Sequence, residues 1–155
     1  MDDITVVEKQ LKRTTASDFR VVFRCDKNFP AVIRNKELTR DGRPFPTPFW
    51  LTCPALKKDI SRIESAGGLK SFQKKLKEDH AARAELLNRE KRIRKSRESL
   101  EGLAPDVGIT GNRDPLRIKC LHAHTADFLA GEQNPIGRLV MEDITWPEDC
   151  QMCDR

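Results

Sequence analysis

Groups able to ligate a soft metal or attack a carbonyl fall in five places: Cys25, Cys53, His80, Cys120-x-His122-x-His124 and Cys150-x-x-Cys153. Thiolate and imidazole groups converging from separate elements are what zinc takes, four at tetrahedral corners in structural sites. The Cys120 stretch has two geometric readings. On a strand all three side chains share one face; on a helix Cys120 and His124 stand one turn apart while His122 points elsewhere. Leu121, Thr125, Phe128 and Leu129 at helical spacing, a start signal at Asp114-Pro115 and a stop at Gly131 and Asn134-Pro135 favour the helix. The ligands expected for one shared ion are therefore Cys25, Cys53, Cys120 and His124, with His122 as a proton carrier if there is catalysis. Zinc is the expected cofactor and an iron–sulfur cluster the alternative. Cys150-x-x-Cys153 is a single CxxC close to the last residue, where a frayed end competes with a ligand pair, so it and His80 stay outside the set. Opposing all of this is burial without ligation, since free cysteine is among the most buried residue types.

Two other chemistries compete. Cys53 precedes Pro54, which suits the first helical position, so the thiol sits at a helix N-cap where the dipole lowers its pKa. With His122 or His124 as base and the rigid proline-rich segment from Asp41 to Trp50 as a wall, this is the equipment of a thiol-dependent hydrolase. Arg89, Lys91, Arg92, Arg94, Lys95 and Arg97 could instead make a binding module that holds nucleic acid or an acidic protein. No aromatics interleave them, so single-strand stacking is unsupported. The chain has no glycine-rich phosphate loop, no GxSxG and no HExxH, and several large enzyme classes lose their usual support.

The elements that must position these groups form a small α+β domain, an antiparallel sheet packed by several helices. A short amphipathic helix places Ile4, Val7 and Leu11 on one face, with Asp2 or Asp3 as its cap. Phe19, Val21 and Phe23 alternate with Arg20, Val22 and Arg24 as a strand does, and Pro30 to Arg34 is the antiparallel hairpin partner. The proline-rich segment is an ordered loop or an edge whose Phe45, Phe49 and Trp50 wall a pocket or plug the core. Pro54 to Gly67-Gly68 is a helix with Leu56, Ile60 and Ile63 inward. From Leu69 to Leu100 no proline or glycine intervenes, and 1.5 Å per residue gives a basic helix approaching ~48 Å. Leu69, Phe72, Leu76, Ala84 and Leu87 share one arc, with His80 inside it. The second half is expected to project into water; a break near Asn88 would make a helical hairpin instead.

The bulk numbers agree with one domain over residues 1–155, 37% hydrophobic and 34% charged. The net charge of +5 belongs to one element, since residues 69–100 carry eleven Lys/Arg against five Asp/Glu. Residues 141–155 are an acidic tail with five acids and one base. Apolar runs fall far short of the ~20 residues of a membrane span. Met1-Asp2-Asp3-Ile4 lacks the basic and apolar regions of a secretion signal, so the expected compartment is the cytoplasm. Five cysteines, an odd number, do not suggest a disulfide framework there.

Arg24-Cys25, Asp41-Gly42, Pro44-Phe-Pro-Thr-x-Phe-Trp-Leu-Thr-Cys-Pro54, Lys119-Cys-Leu-His-Ala-His124, Leu129-Ala-Gly131 and Asn134-Pro-Ile-Gly137 together resemble the bacterial family catalogued as domain of unknown function 501. The similarity runs from the first helix to Gly137. It implies no established activity. Its segments contain Cys25, Cys53, Cys120, His122 and His124, consistent with a shared site, and it does not extend to Cys150, Cys153 or His80.

Overall fold

The computed structural model describes residues 2–45, 47–98, 106–147 and 150–153. Leu100, expected to end the long helix, and residues 102–105 of the loop after it lie outside the described residues. The architecture is α+β, as its pattern predicts. Three strands, β1 (Phe19–Arg24), β2 (Pro30–Asn35) and β3 (Phe49–Leu51), form an antiparallel sheet in the order β1-β2-β3. Among the described residues six helices accompany it: α1 (Asp3–Leu11), α2 (Pro54–Ser65), α3 (Gly68–Glu78), α4 (His80–Ser96), α5 (Leu121–Leu129) and α6 (Pro135–Glu142). Among the described residues, no helix is long and apolar enough to cross a membrane.

The strand alternation is interrupted within β1. Pairing passes from Val21 opposite Ile33 to Phe23 opposite Val32, so Val22 is an extra residue and the strand bulges. Val22 and Phe23 consequently both pack against the core, where strict alternation would have turned Val22 outward. Cys25 follows at the turn, donating its N–H to Phe29 O at 3.0 Å and accepting from Asn28 N at 2.9 Å. The proline-rich segment returns to the sheet as β3, with Phe49 buried and Trp50 meeting the Phe45 ring edge-on at 5.0 Å.

Helix α1 is capped by Asp2, which accepts from Thr5 N, but it buries Val6, Val7 and Gln10 rather than the expected Ile4 face; Ile4 is 56% exposed. Gln10 belongs inside because its Nε2 donates to Pro30 O at 2.8 Å on the neighbouring strand. Helix α2 begins where the sequence places it, with Cys53 as N-cap and Pro54 first, and it buries Leu56 and Ile60. Gly67, at a φ of 88°, makes the turn into α3 in a conformation that favours glycine.

The single long helix is two helices. The break falls at Asp79, not Asn88, because Asp79 adopts an extended conformation and its carboxylate caps α4 by accepting from Ala82 N at 3.0 Å. That interruption resets the helical phase. The buried line runs Phe72 and Leu76 in α3, then Ala82, Leu86, Arg89, Glu90 and Ile93 in α4, leaving His80 and Ala84 exposed. Nor does α4 project into water, as its composition suggested, since Arg89 is tied to α5 and Glu90 and Arg94 to the loop before it.

Helix α5 is the centre of the assembly, packing on α6, on β3 and on α2. Gly137 permits the α5–α6 approach: a Cβ there would land on the His124 carbonyl oxygen and within 2.5 Å of Phe128 Cβ. The acidic tail starts inside α6 and doubles back, stacking Trp146 on Phe23 with centroids 5.7 Å apart.

Candidate metal centre

The donor atoms of Glu64, Cys120 and His122 lie within 4.8 Å of one another, the one such trio of Cys, His or acidic donors among the described residues. Helix α5 starts at Leu121, later than Asp114-Pro115 suggested; Asp114 instead closes a turn, accepting from Leu116 N at 2.9 Å. Cys120 is therefore the N-cap, extended at φ −152° and ψ 117°, and does not follow the helical wheel. This decides the pairing. Cys120 Sγ approaches His122 Nδ1 at 3.8 Å, whereas His124, one turn on, points into the core.

His122 faces α2, where Lys57, Ser61 and Glu64 recur at helical spacing and present one side. Its Nδ1 lies 2.9 Å from Glu64 Oε1. Its Nε2 lies 3.3 Å from Lys57 O and 3.2 Å from Ser61 Oγ. A backbone carbonyl can only accept, so Nε2 carries a hydrogen and Nδ1 is the nitrogen turned to the thiol and carboxylate. The hydrogen bond to Cys120 raises the His122 pKa above its ordinary 6.5 against the cost of burial. Burial is the largest influence on Cys120, and it opposes ionisation. The His122 hydrogen bond, the Ala123 N–H and the imidazolium charge together outweigh it and hold the thiol below 9.0. The trio joins a carboxyl, an imidazole and a thiol, the last two shifted toward their charged forms by one another, with His122 and Glu64 side chains 26% and 21% exposed. Glu64 had no sequence motif to mark it; its signal was its place seven residues after Lys57 on the α2 face.

His124 serves another purpose. Asn134 Nδ2 donates to His124 Nδ1 at 3.0 Å and to Asp127 Oδ2 at 3.1 Å, and Asp127 receives a two-pronged Arg89 at 2.9 and 2.7 Å. Burial pushes the His124 pKa down to about 4, and its Nε2 is buried without a hydrogen-bond partner. It is a neutral core histidine. Asn134 also caps α6 through Ile136 N and Gly137 N, so one amide joins the histidine, the ion pair and a helix start.

The expected quartet of Cys25, Cys53, Cys120 and His124 does not converge, because its members serve three different places. Cys25 and Cys53 line a separate cavity with Cys150 and Cys153. Cys53 occupies the expected N-cap but makes no side-chain capping hydrogen bond, and burial outweighs the pull of the nearby Leu56 and Ala55 N–H groups and raises its pKa above 9.0. A thiolate nucleophile paired with His122 or His124 is therefore not assembled at Cys53. No disulfide joins the cysteines.

The basic run is divided. Arg89 is buried on Asp127; Arg94 donates to Asp106 O, Asn112 O and Arg113 O at 2.9–3.0 Å; Arg97 donates to Val107 O at 2.6 Å and Gly108 O at 3.1 Å. Glu90 accepts from Asn112 Nδ2 and Ile109 N on the same loop. Lys91, Arg92 and Lys95 are exposed, with Arg92 3.4 Å from Glu132.

A family model described as "Protein of unknown function (DUF501)" matches residues 21–142, a span that includes the Glu64–Cys120–His122 trio and ends before Cys150. No curated protein and no solved structure matches the chain.

Proposed function

The chain belongs to the DUF501 family, which supplies no activity to inherit, and from the site itself we propose that the protein binds a divalent metal ion, zinc by preference, through Glu64, Cys120 and His122. The observation that carries this is the convergence of three different donors from two helices within 4.8 Å. Their chemistry suits the ion: thiolate, imidazole and carboxylate are zinc's three ligand types. The outer contacts suit it too. A metal-bound histidine donates its remote N–H to a carbonyl or carboxylate, and Nε2 does so to Lys57 O. His122 Nδ1, flanked by Glu64 and Cys120, faces the point where a cation would sit. Three protein donors at a part-exposed site leave a fourth position for water or substrate, the arrangement of catalytic rather than structural zinc.

Elemental analysis of protein purified without an affinity tag tests this reading. The expected result is a stoichiometric divalent ion that His122→Ala and Cys120→Ala remove and that Glu64→Gln weakens by more than the ~10–100-fold typical of outer partners. Metal content unchanged in all three variants, or no metal bound by the parent after Zn²⁺ loading, would sink it.

A second reading is favoured by the Cys120–His122 contact: without metal, Cys120 is the nucleophile and His122 its partner, which moves the thiol chemistry away from Cys53. Chelator-treated protein should then be alkylated at Cys120 faster than at Cys53. Added Zn²⁺ should suppress that reaction if the metal occupies the trio.

A further inference from the structure

Cys150 and Cys153 look from sequence like a pair at a frayed end, and the fold gives them partners. The cavity they enter is about 60 Å³, far below the roughly 300–1,000 Å³ of sites for organic ligands. It is too small for a typical organic ligand. Cys25 reaches it from the β1–β2 turn, Cys53 from the start of α2, and the CxxC pair from the returning tail. An N–H donor points at one of these sulfurs as it does at a metal thiolate: Gln10 Nε2 lies 3.3 Å from Cys153 Sγ. Phe29, Pro30 and Trp146 supply apolar walls.

We infer that Cys25, Cys53, Cys150 and Cys153 form a second, closed metal site, a tetrathiolate centre for one zinc-class ion that fastens the tail to the sheet. This goes beyond the Glu64–Cys120–His122 reading and shares no residue with it. No three of the four sulfurs lie mutually within 4.8 Å, whereas 2.3 Å bonds at tetrahedral corners require about 3.8 Å between sulfurs. Metal binding therefore draws the sulfurs inward, and the tail, which carries two of them, is the segment that it fastens.

The test uses the full chain carrying Cys120→Ala, so that the trio contributes nothing. Chelator-stripped, reduced protein is titrated with Co²⁺ and then with Zn²⁺. The expected result is one Co²⁺ per chain with strong thiolate-to-metal absorption and the visible bands of a tetrahedral site, displaced by one Zn²⁺. Cys150→Ser and Cys153→Ser, which lie outside the family-matched segment, should keep the far-ultraviolet circular dichroism and weaken binding at least ~100-fold. Affinity unchanged in both tail variants would overturn the proposal. So would Co²⁺ bound without thiolate absorption, no uptake of either ion, a Cys150–Cys153 disulfide that forms despite Zn²⁺, or an iron–sulfur cluster with acid-labile sulfide in anaerobically purified protein. Metal that survives His122→Ala but vanishes with Cys150→Ser would reject the trio and keep this site.

Discussion

His124 and His122 stand two positions apart, and their surroundings drive them in opposite directions. His122 keeps company with a carboxylate and a thiol; His124 is enclosed at 1% exposure and stays neutral. Between its folded pKa of about 4 and its ordinary 6.5, the unfolded chain takes up a proton at His124 that the folded chain refuses. Stability from this residue is therefore complete above pH 6.5 and drains away as pH falls toward 4, by about 3 kcal/mol in all. Glu90, whose pKa burial raises, works in the other sense above 4.5, and His122 does so above 6.5, so the histidine's share is best read as a difference between variants. Denaturant unfolding of the parent and of His124→Gln at pH 7.5 and 4.5 should show the parent losing more stability on acidification; equal losses would mean that His124 is already charged when folded. The residue types of the site were legible in Cys120-x-His122-x-His124. What the spacing could not reveal was that the helix starts only at Leu121, which leaves Cys120 just outside it and exchanges the partner of its thiol.

At the scale of elements, the sequence announced the helices well where a capping signal stood beside an apolar period, as at Pro54 and Asn134-Pro135, and poorly where charge dominated composition. Residues 69–100 contain no helix breaker, so only the capping capacity of Asp79 foretold the division into α3 and α4, and aspartate is too common on helices for that to stand out. Composition makes the basic half of α4 look as if it projects into water because the acceptors of its arginines are non-local: Asp127 lies 38 residues from Arg89 and Asn112 18 residues beyond Arg94. Arg89→Met should leave the Asp127 carboxylate buried and uncompensated, at a cost of about 3–5 kcal/mol, while the exposed Lys91→Met should stay within about 0.5 kcal/mol. A loss that large is a sizeable part of the roughly 5–15 kcal/mol that holds such a domain together. Chemical denaturation settles the matter, and equal midpoints for the two variants would contradict the structural role of the pair.

Over the whole molecule, the +5 net charge is less available to a partner than composition suggests. Of the six cations in the run, Arg89, Arg94 and Arg97 spend their donors on the protein's own carbonyls and carboxylates, leaving Lys91, Arg92 and Lys95 on the surface. Each cation that neutralises a phosphate adds close to one unit to the dependence of log affinity on log salt, so this helix can supply a slope of at most about three. Binding to a DNA or RNA duplex measured between low and moderate salt checks that limit, and a drop greater than three units on replacing those residues with alanine would restore the helix as a nucleic-acid surface. The Trp146–Phe23 stack carries a consequence of its own. The tail brings an indole to the sheet, whereas the chain's other indole, Trp50, sits within the sheet beneath the Arg13 guanidinium. Emission from a chain in which phenylalanine replaces Trp50 would thus come from the tail alone, and its colour would tell whether that segment is docked or adrift.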